Sequence, residues 1–347
     1  MRYFDYTFLE KGLLPAGLIN LVGTINTLRE RDNNRKDNYQ EIYQKLESIA
    51  KVQSVKGSNE IEGIVTTEKR ISEIVNQNSA PLNHNEAEIA GYRDALNTIH
   101  TGFDTLDLKE ADILGLHETM LAYTPEGSGG YKKSDNSIIE ILPSGRRIIR
   151  FQPTSALETS ETMDQLLLSY MQARNNSNIN TLLLIPCFIL DFLCIHPFLD
   201  GNGRMSRLLS LLLLYKAGFD AGKYISFEEQ INKTKSDYYE GLKHSSINWH
   251  EMKNSYTPFI QYFGLTLLRC YKELDTRFLV VNNKIVTKKK RVEVTVLNSH
   301  LPISKQEICY VLPDVSPTTV EAALGVMVKE GLVKKIGSGR NTKYLRV

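Results

Sequence analysis

The 347-residue chain is 41% hydrophobic and 24% charged with a formal net charge of +2, a composition that excludes disorder and leaves room for two or three domains with sizeable cores. So small a net charge argues against nonspecific nucleic-acid binding by the whole chain, although from Lys288 onward eleven Lys and Arg face five Asp and Glu. The four cysteines, Cys187, Cys194, Cys270 and Cys309, form no CxxC pair and read as reduced core residues of a cytoplasmic protein.

In chain order, the opening MRYFDYTFLEKGLLPAG carries Asp5, Glu10 and Lys11 where a secretory signal needs an unbroken apolar run, so none is expected. Helical spacing of Ile42, Leu46, Ile49 and Val52 predicts a helix over NYQEIYQKLESIAKVQSVKGSNEIEG, and HNEAEIAGYRDALNTIH repeats the pattern. In YKKSDNSIIEILPSGRRIIRFQPT, two short β-branched runs flank PSGRR, which predicts a hairpin that Pro153 ends. Ser160 before an acidic first turn predicts the N-cap of a helix over SETMDQLLLSYMQARN. The apolar run TLLLIPCFILDFLC is too short for the ~20 residues of a membrane-spanning helix and predicts a buried core helix. The lysine run TKKKR at 287–291 reads as a linker into a separate C-terminal unit.

Between two of the most apolar stretches stands IHPFLDGNGRMSRLL, where Pro197, Gly201 and Gly203 break one helix and Arg204 begins the next. Polar groups set so deep in apolar sequence need partners. A Gly-Asn-Gly loop feeding a helix N-terminus aims backbone N–H groups and the positive end of the helix dipole at one spot, which suits an anion. Arg204 and Arg207, about one turn apart, add fixed charge suited to phosphate oxygens. Asp200 is a candidate Mg²⁺ ligand beside those phosphates, and His196 is the one group here able to take a proton near neutral pH. Together they describe transfer from a nucleotide to a hydroxyl, without the GxxxxGK[ST] loop. The remaining histidines form no HExxH or CxxC pattern and are assigned no metal.

HPFLDGNGRMSR fills every specified position of the Fic/Doc signature, and the chain resembles that family. The resemblance implies a protein adenylyltransferase that moves AMP from ATP to a Ser, Thr or Tyr hydroxyl of a target protein. His196 would be the base, Asp200 the Mg²⁺ ligand, Gly201, Asn202 and Gly203 the phosphate loop, and Arg204 and Arg207 the partners of the β and γ phosphates. GGYKKSDNSIIEI with IIRFQPT resembles the family's flap, a hairpin that aligns the target backbone by strand addition. SNEIEG, Ser58 to Gly63, is similar to the family's inhibitory helix motif, in which Glu62 would pair with Arg207 and obstruct the γ-phosphate. Without the signature at His196, Ser58 and Glu62 would read as a pair on a solvated helix. DYYEGLKH resembles a helix whose tyrosine lines the adenine pocket; Tyr239 is preferred to Tyr238, and both also fit as packing aromatics.

The tail SKQEICYVL followed by SPTTVEAALGVMVKEGLVKKIGSGRNTKYLRV predicts helix, turn, helix and two strands, a winged helix. Lys334, Lys335, Arg340 and Lys343 would meet DNA phosphates there, while protein docking or dimerisation fits the base-poor recognition helix equally. The expected fold is therefore mainly α: an N-terminal helical region carrying the inhibitory motif (1–105), an all-helical Fic core with a small β-hairpin flap (106–285), and a winged-helix domain (286–347). Expected partners are ATP with Mg²⁺, a target protein and, through the tail, DNA or a second copy of the chain; no membrane is expected. Two other readings stay open: AMP removal or another phosphoryl-group transfer on the same fold, and a DNA-binding regulator that senses ATP.

Overall fold

A computed structural model describes residues 2–12, 14–125, 129–141, 144–281, 287–297, 299, 302–339 and 342–346. The chain divides into two compact units, the first comprising Met1–Thr27 and Ala50–Cys270, the second Leu28–Ile49 and Tyr271–Val347. Helix dominates the described residues, and none of these helices is long and apolar enough to cross a membrane.

The chain opens with α1 (Phe8–Lys11), α2 (Ala16–Lys36), α3 (Gln40–Ile61) and α4 (Glu68–Gln77). α3 stops where Gly63 takes φ +82°, and Ile64 N–H caps the exposed end by donating to Asn59 O at 3.0 Å. α5 (His84–Gly102) and α6 (Glu110–Leu121) pack so closely that a Cβ on Gly91 would collide with the Met120 carbonyl. β1 (Ile138–Ile141) and β2 (Arg147–Phe151) form the expected antiparallel hairpin, with Ile139 opposite Ile149. Leu142 and Pro143 of its turn lie outside the described residues.

α7 (Ala156–Arg174) begins before the expected cap at Ser160. Ser155 holds the extended N-cap conformation and its hydroxyl donates to Glu158 at 2.7 Å, so the helix starts as soon as the chain clears Pro153. α8 (Thr181–Ile195) is buried at every residue from Leu182 on, which is why its sequence shows no polar face. Within it, Asp191 accepts hydrogen bonds from Tyr6 (2.8 Å), Trp249 (2.7 Å) and Tyr256 (2.9 Å), binding the N-terminal segment to the core. α9 (Asn202–Lys216) packs against α8 and α5. A short 3₁₀ turn (Ala221–Lys223) leads to α10 (Phe227–Lys233), α11 (Lys235–Ser245) and α12 (Thr257–Val281).

In the second unit, residues expected as a linker open α13 (Lys288–Leu297). Apolar Val292 and Val296, one turn apart, bury one face of that helix, and Arg291 forms a two-point ion pair with Asp314 at 2.7 Å, so the lysines are only its solvated first turn. β3 (Ile303–Ser304), α14 (Lys305–Val311), α15 (Pro317–Lys329), β4 (Val333–Ile336) and β5 (Lys343–Arg346) follow, with an antiparallel sheet of order β3-β5-β4. Ser304 and Glu307 form a capping box on α14. Ile308, Leu312, Val320, Leu324, Met327, Val333 and Tyr344 share one core with Val292 and Val296. Arg340 lies outside the described residues. The four cysteines are free thiols, Cys187, Cys194 and Cys270 buried and Cys309 half-buried.

Candidate nucleotide site

The loop between α8 and α9 is shaped by backbone demands. His196 leaves the helix at φ +53°, a left-handed conformation that a non-glycine residue adopts at a cost, and Pro197 has no N–H with which to continue. Asn202 closes the loop by gripping Phe198 twice, its Oδ1 accepting from Phe198 N at 2.9 Å and its Nδ2 donating to Phe198 O at 2.8 Å. Gly201 takes φ +80° at the start of α9, where a Cβ would strike the Met120 side chain. The first amides of α9 thus open, unfilled by any intrahelical acceptor, onto the mouth of a cavity of about 950 Å³.

Both arginines of α9 are buried, and each meets a carboxylate from another part of the first unit. Arg204 is paired with Glu88 of α5 and with Asp200 at 3.1 Å. The Arg207 Nε donates to Ser58 Oγ at 2.8 Å, and its Nη2 donates to Ser58 O at 3.0 Å and to Glu62 Oε1 at 2.8 Å. Burial works against the charge of Arg207, but Glu62, Tyr238 and Tyr92 together outweigh it and raise the pKa of the guanidinium. The same Glu62 oxygen stands so close over Gly203 that a Cβ there would collide with it. A carboxylate of the chain therefore stands beside the first turn of α9. Arg207 Nη1, facing Gly203, is buried without a hydrogen-bond partner and could serve an anion's oxygen.

His196 Nδ1 lies 3.1 Å from Leu193 O. A carbonyl only accepts, so Nδ1 carries the proton and Nε2 is left as the basic nitrogen of the neutral ring. Burial pushes the pKa below the usual imidazole value, and nearby Lys132 pushes the same way, which keeps the ring unprotonated near neutral pH.

The cavity is lined by His196, Asp200, Gly201, Asn202, Gly203, Arg204, Arg207, Glu62 and Tyr239, bringing together residues predicted from separate stretches of sequence. Ser58, fully buried, lies behind the wall as the second anchor of Arg207, and Gly63 terminates the helix that carries Glu62. Tyr238 and Tyr239 both border the space, Tyr238 buried and Tyr239 40% exposed. The flap contributes Ile138, Ile139, Glu140, Arg150 and Phe151. Sequence reasoning missed Glu88, the buried partner of Arg204, which follows Glu86 on α5 and carries no signal that sets it apart from a surface acid. It also missed His117, whose ring stacks on Phe198 at 3.7 Å and whose Nε2 reaches Asp200 O at 3.1 Å.

Residues 107–214 match the model of the Fic/DOC family. A Fido domain-containing protein of Dictyostelium discoideum is 32% identical over 100 residues, 29% of this chain and 63% of that protein. The protein adenylyltransferase Fic of Nematostella vectensis is 27% identical over 205 residues, 56% of this chain and 43% of its own length. The chain thus spans less than two thirds of either relative. The crystal structure of a Fic family protein from Desulfovibrio desulfuricans aligns with a TM-score of 0.60 at 19% identity, covering 96% of this chain and 97% of that one, a likeness of fold.

Proposed function

This chain carries a Fic/DOC family domain, and from that premise we propose that it is a protein adenylyltransferase, self-inhibited by Glu62, with a catalytic core over residues 106–285. The observation that carries the reading is the meeting of a neutral, outward-facing imidazole with an anion cradle in one cavity. His196 Nε2 takes the proton of a target Ser, Thr or Tyr hydroxyl as that oxygen bonds to the α-phosphorus of ATP. The bond from the α-phosphorus to its bridging oxygen breaks, and pyrophosphate leaves. The amides around Gly201, Asn202 and Gly203 with Arg204 and Arg207 take up the charge of the departing phosphates. Tyr239 borders the space for the adenine.

Asp200 suits Mg²⁺. Its side chain is 74% exposed on the cavity rim, and among the described residues no group of three or more His, Cys, Asp or Glu could hold a metal ion by itself. One carboxylate completed by substrate phosphates and water is how Mg²⁺ is commonly held. When bound, the ion would supply charge neutralisation to the phosphates.

In the inhibited form Glu62 pairs with Arg207 Nη2 and puts negative charge where the γ-phosphate would go, so ATP is excluded from its productive position. Mass analysis of candidate target proteins after incubation with the Glu62→Gly variant and Mg-ATP tests the reading. A gain matching AMP is expected. A gain matching phosphate, or a loss of AMP from a premodified target, would replace transfer with the alternative chemistries on this fold.

The helices α13 to α15 with the sheet β3-β5-β4 support a winged-helix reading of residues 286–347. Lys334 and Lys335 on exposed β4 favour DNA phosphates as its contact.

A further inference from the structure

Lys132 lies just before the hairpin and does not line the nucleotide cavity, yet it is buried, with 5% of its surface exposed. A lysine rarely accepts such burial without a specific partner. Its Nζ donates to Ile195 O at 3.1 Å and to Asn136 Oδ1 at 2.8 Å, and its backbone N–H donates to Pro197 O at 2.8 Å. Asn136 Nδ2 in turn reaches Phe198 O at 3.0 Å and His196 O at 3.5 Å. Four consecutive carbonyls, from Ile195 to Phe198, therefore face donors from these two residues.

These carbonyls flank His196, a non-glycine residue whose backbone must be held in the left-handed region at φ +53°. They also mark the end of α8, where helix carbonyls lack intrahelical donors and a cation is favoured. Asn202 holds the loop from the α9 side and leaves the Ile195 and Pro197 carbonyls to Lys132. We propose that Lys132, seconded by Asn136, is a positioning residue that clamps the His196 backbone and so aims the imidazole at the acceptor hydroxyl. The clamp sits on the irregular segment that leads into the hairpin. It therefore ties the element expected to hold the target to the residue expected to activate it, and in this it rests on the adenylyl-transfer reading.

The test is made in the full chain carrying Glu62→Gly, with Lys132→Met, Lys132→Arg and Asn136→Ala added singly. Lys132→Met should lower kcat for AMP transfer about 10- to 100-fold with the KM for ATP within about twofold, as expected for a misaimed base. Lys132→Arg, which retains a cationic donor, should recover most of that loss. Asn136→Ala should fall between. Hydrogen exchange of the 192–201 peptide should speed up in Lys132→Met and not in Lys132→Arg, while peptides of α9 stay as in the parent. Unchanged exchange at 192–201 in Lys132→Met, or a rise in ATP KM with kcat intact, would overturn the proposal. If the Glu62→Gly parent transfers nothing to any acceptor, the adenylyl-transfer reading fails, and the exchange result still decides whether Lys132 holds the loop.

Discussion

At the residue scale the cavity is poised by two opposed ionic arrangements. The carboxylate of Glu62 pairs with Arg207 Nη2 and lies over Gly203, so its removal should open the anion cradle. Glu62→Gly is expected to raise incorporation of labelled AMP by about 5- to 150-fold at saturating Mg-ATP, the range of ordinary coupling energies. An exposed glutamate with no such role would change stability by about 0.5 kcal/mol and activity not at all. Arg207→Glu should abolish transfer in either background. His196→Ala should cost about 10²- to 10⁴-fold in transfer with ATP affinity unchanged, read by calorimetry, because the imidazole acts on the hydroxyl and not on the nucleotide. The pKa of His196 lies below the usual imidazole value. As pH falls the active neutral ring therefore persists beyond the point where a free histidine would protonate, and the acid limb of kcat/KM should lie below about 6.5. A limb at or above that value would show that another group controls the rate.

At the element scale, the proposed inhibition depends on where α3 lies. Gly57 meets the start of α10 so closely that a Cβ would come within 3.0 Å of Glu229 N. Around it Ser54 Oγ donates to Ser226 Oγ at 2.9 Å, Asn232 donates to Glu60 at 2.8 Å and Lys235 donates to Ile61 O at 2.6 Å. Gly57→Val should push α3 away from α10 and raise transfer in the wild-type background, with no further gain when Glu62 is already glycine. Equal gains in both backgrounds would show that α3 acts through something other than its glutamate. The α5–α6 contact has less tolerance, since a Cβ on Gly91 would overlap the Met120 carbonyl outright, whereas one on Gly57 would only press on the Glu229 backbone. Gly91→Ala should destabilise the fold by about 1–3 kcal/mol in denaturant melts.

At the scale of the whole molecule, the His196 loop and the basic tail belong to different compact units, each with its own core. If the tail contacts DNA, affinity of the full-length protein should fall steeply with salt, and Lys334→Glu with Lys335→Glu should flatten that dependence by about one phosphate contact each. Binding insensitive to both salt and those charges would leave a protein-docking role for the three-helix and three-strand arrangement.

The sequence by itself determined the loop that carries the chemistry. A proline, two glycines and a run of charged groups inside apolar surroundings can only be a break between buried helices, because local backbone rules and burial costs act within a few residues. The helical character of α3 and α5 and the hairpin were legible for the same reason. Only the tertiary structure decided how charges far apart in the chain are paired. Glu88 looks like an ordinary helix-surface acid, and only packing brings it to Arg204; the pairing of Glu62 with Arg207 was implied by the family resemblance of SNEIEG and by no local pattern. Lys132 carries no pattern at all, since a lysine that caps a distant helix end reads the same as one in water. The expected linker at 287–291 became a helix because Val292 and Val296 found a core to bury against, a gain that no local propensity contains.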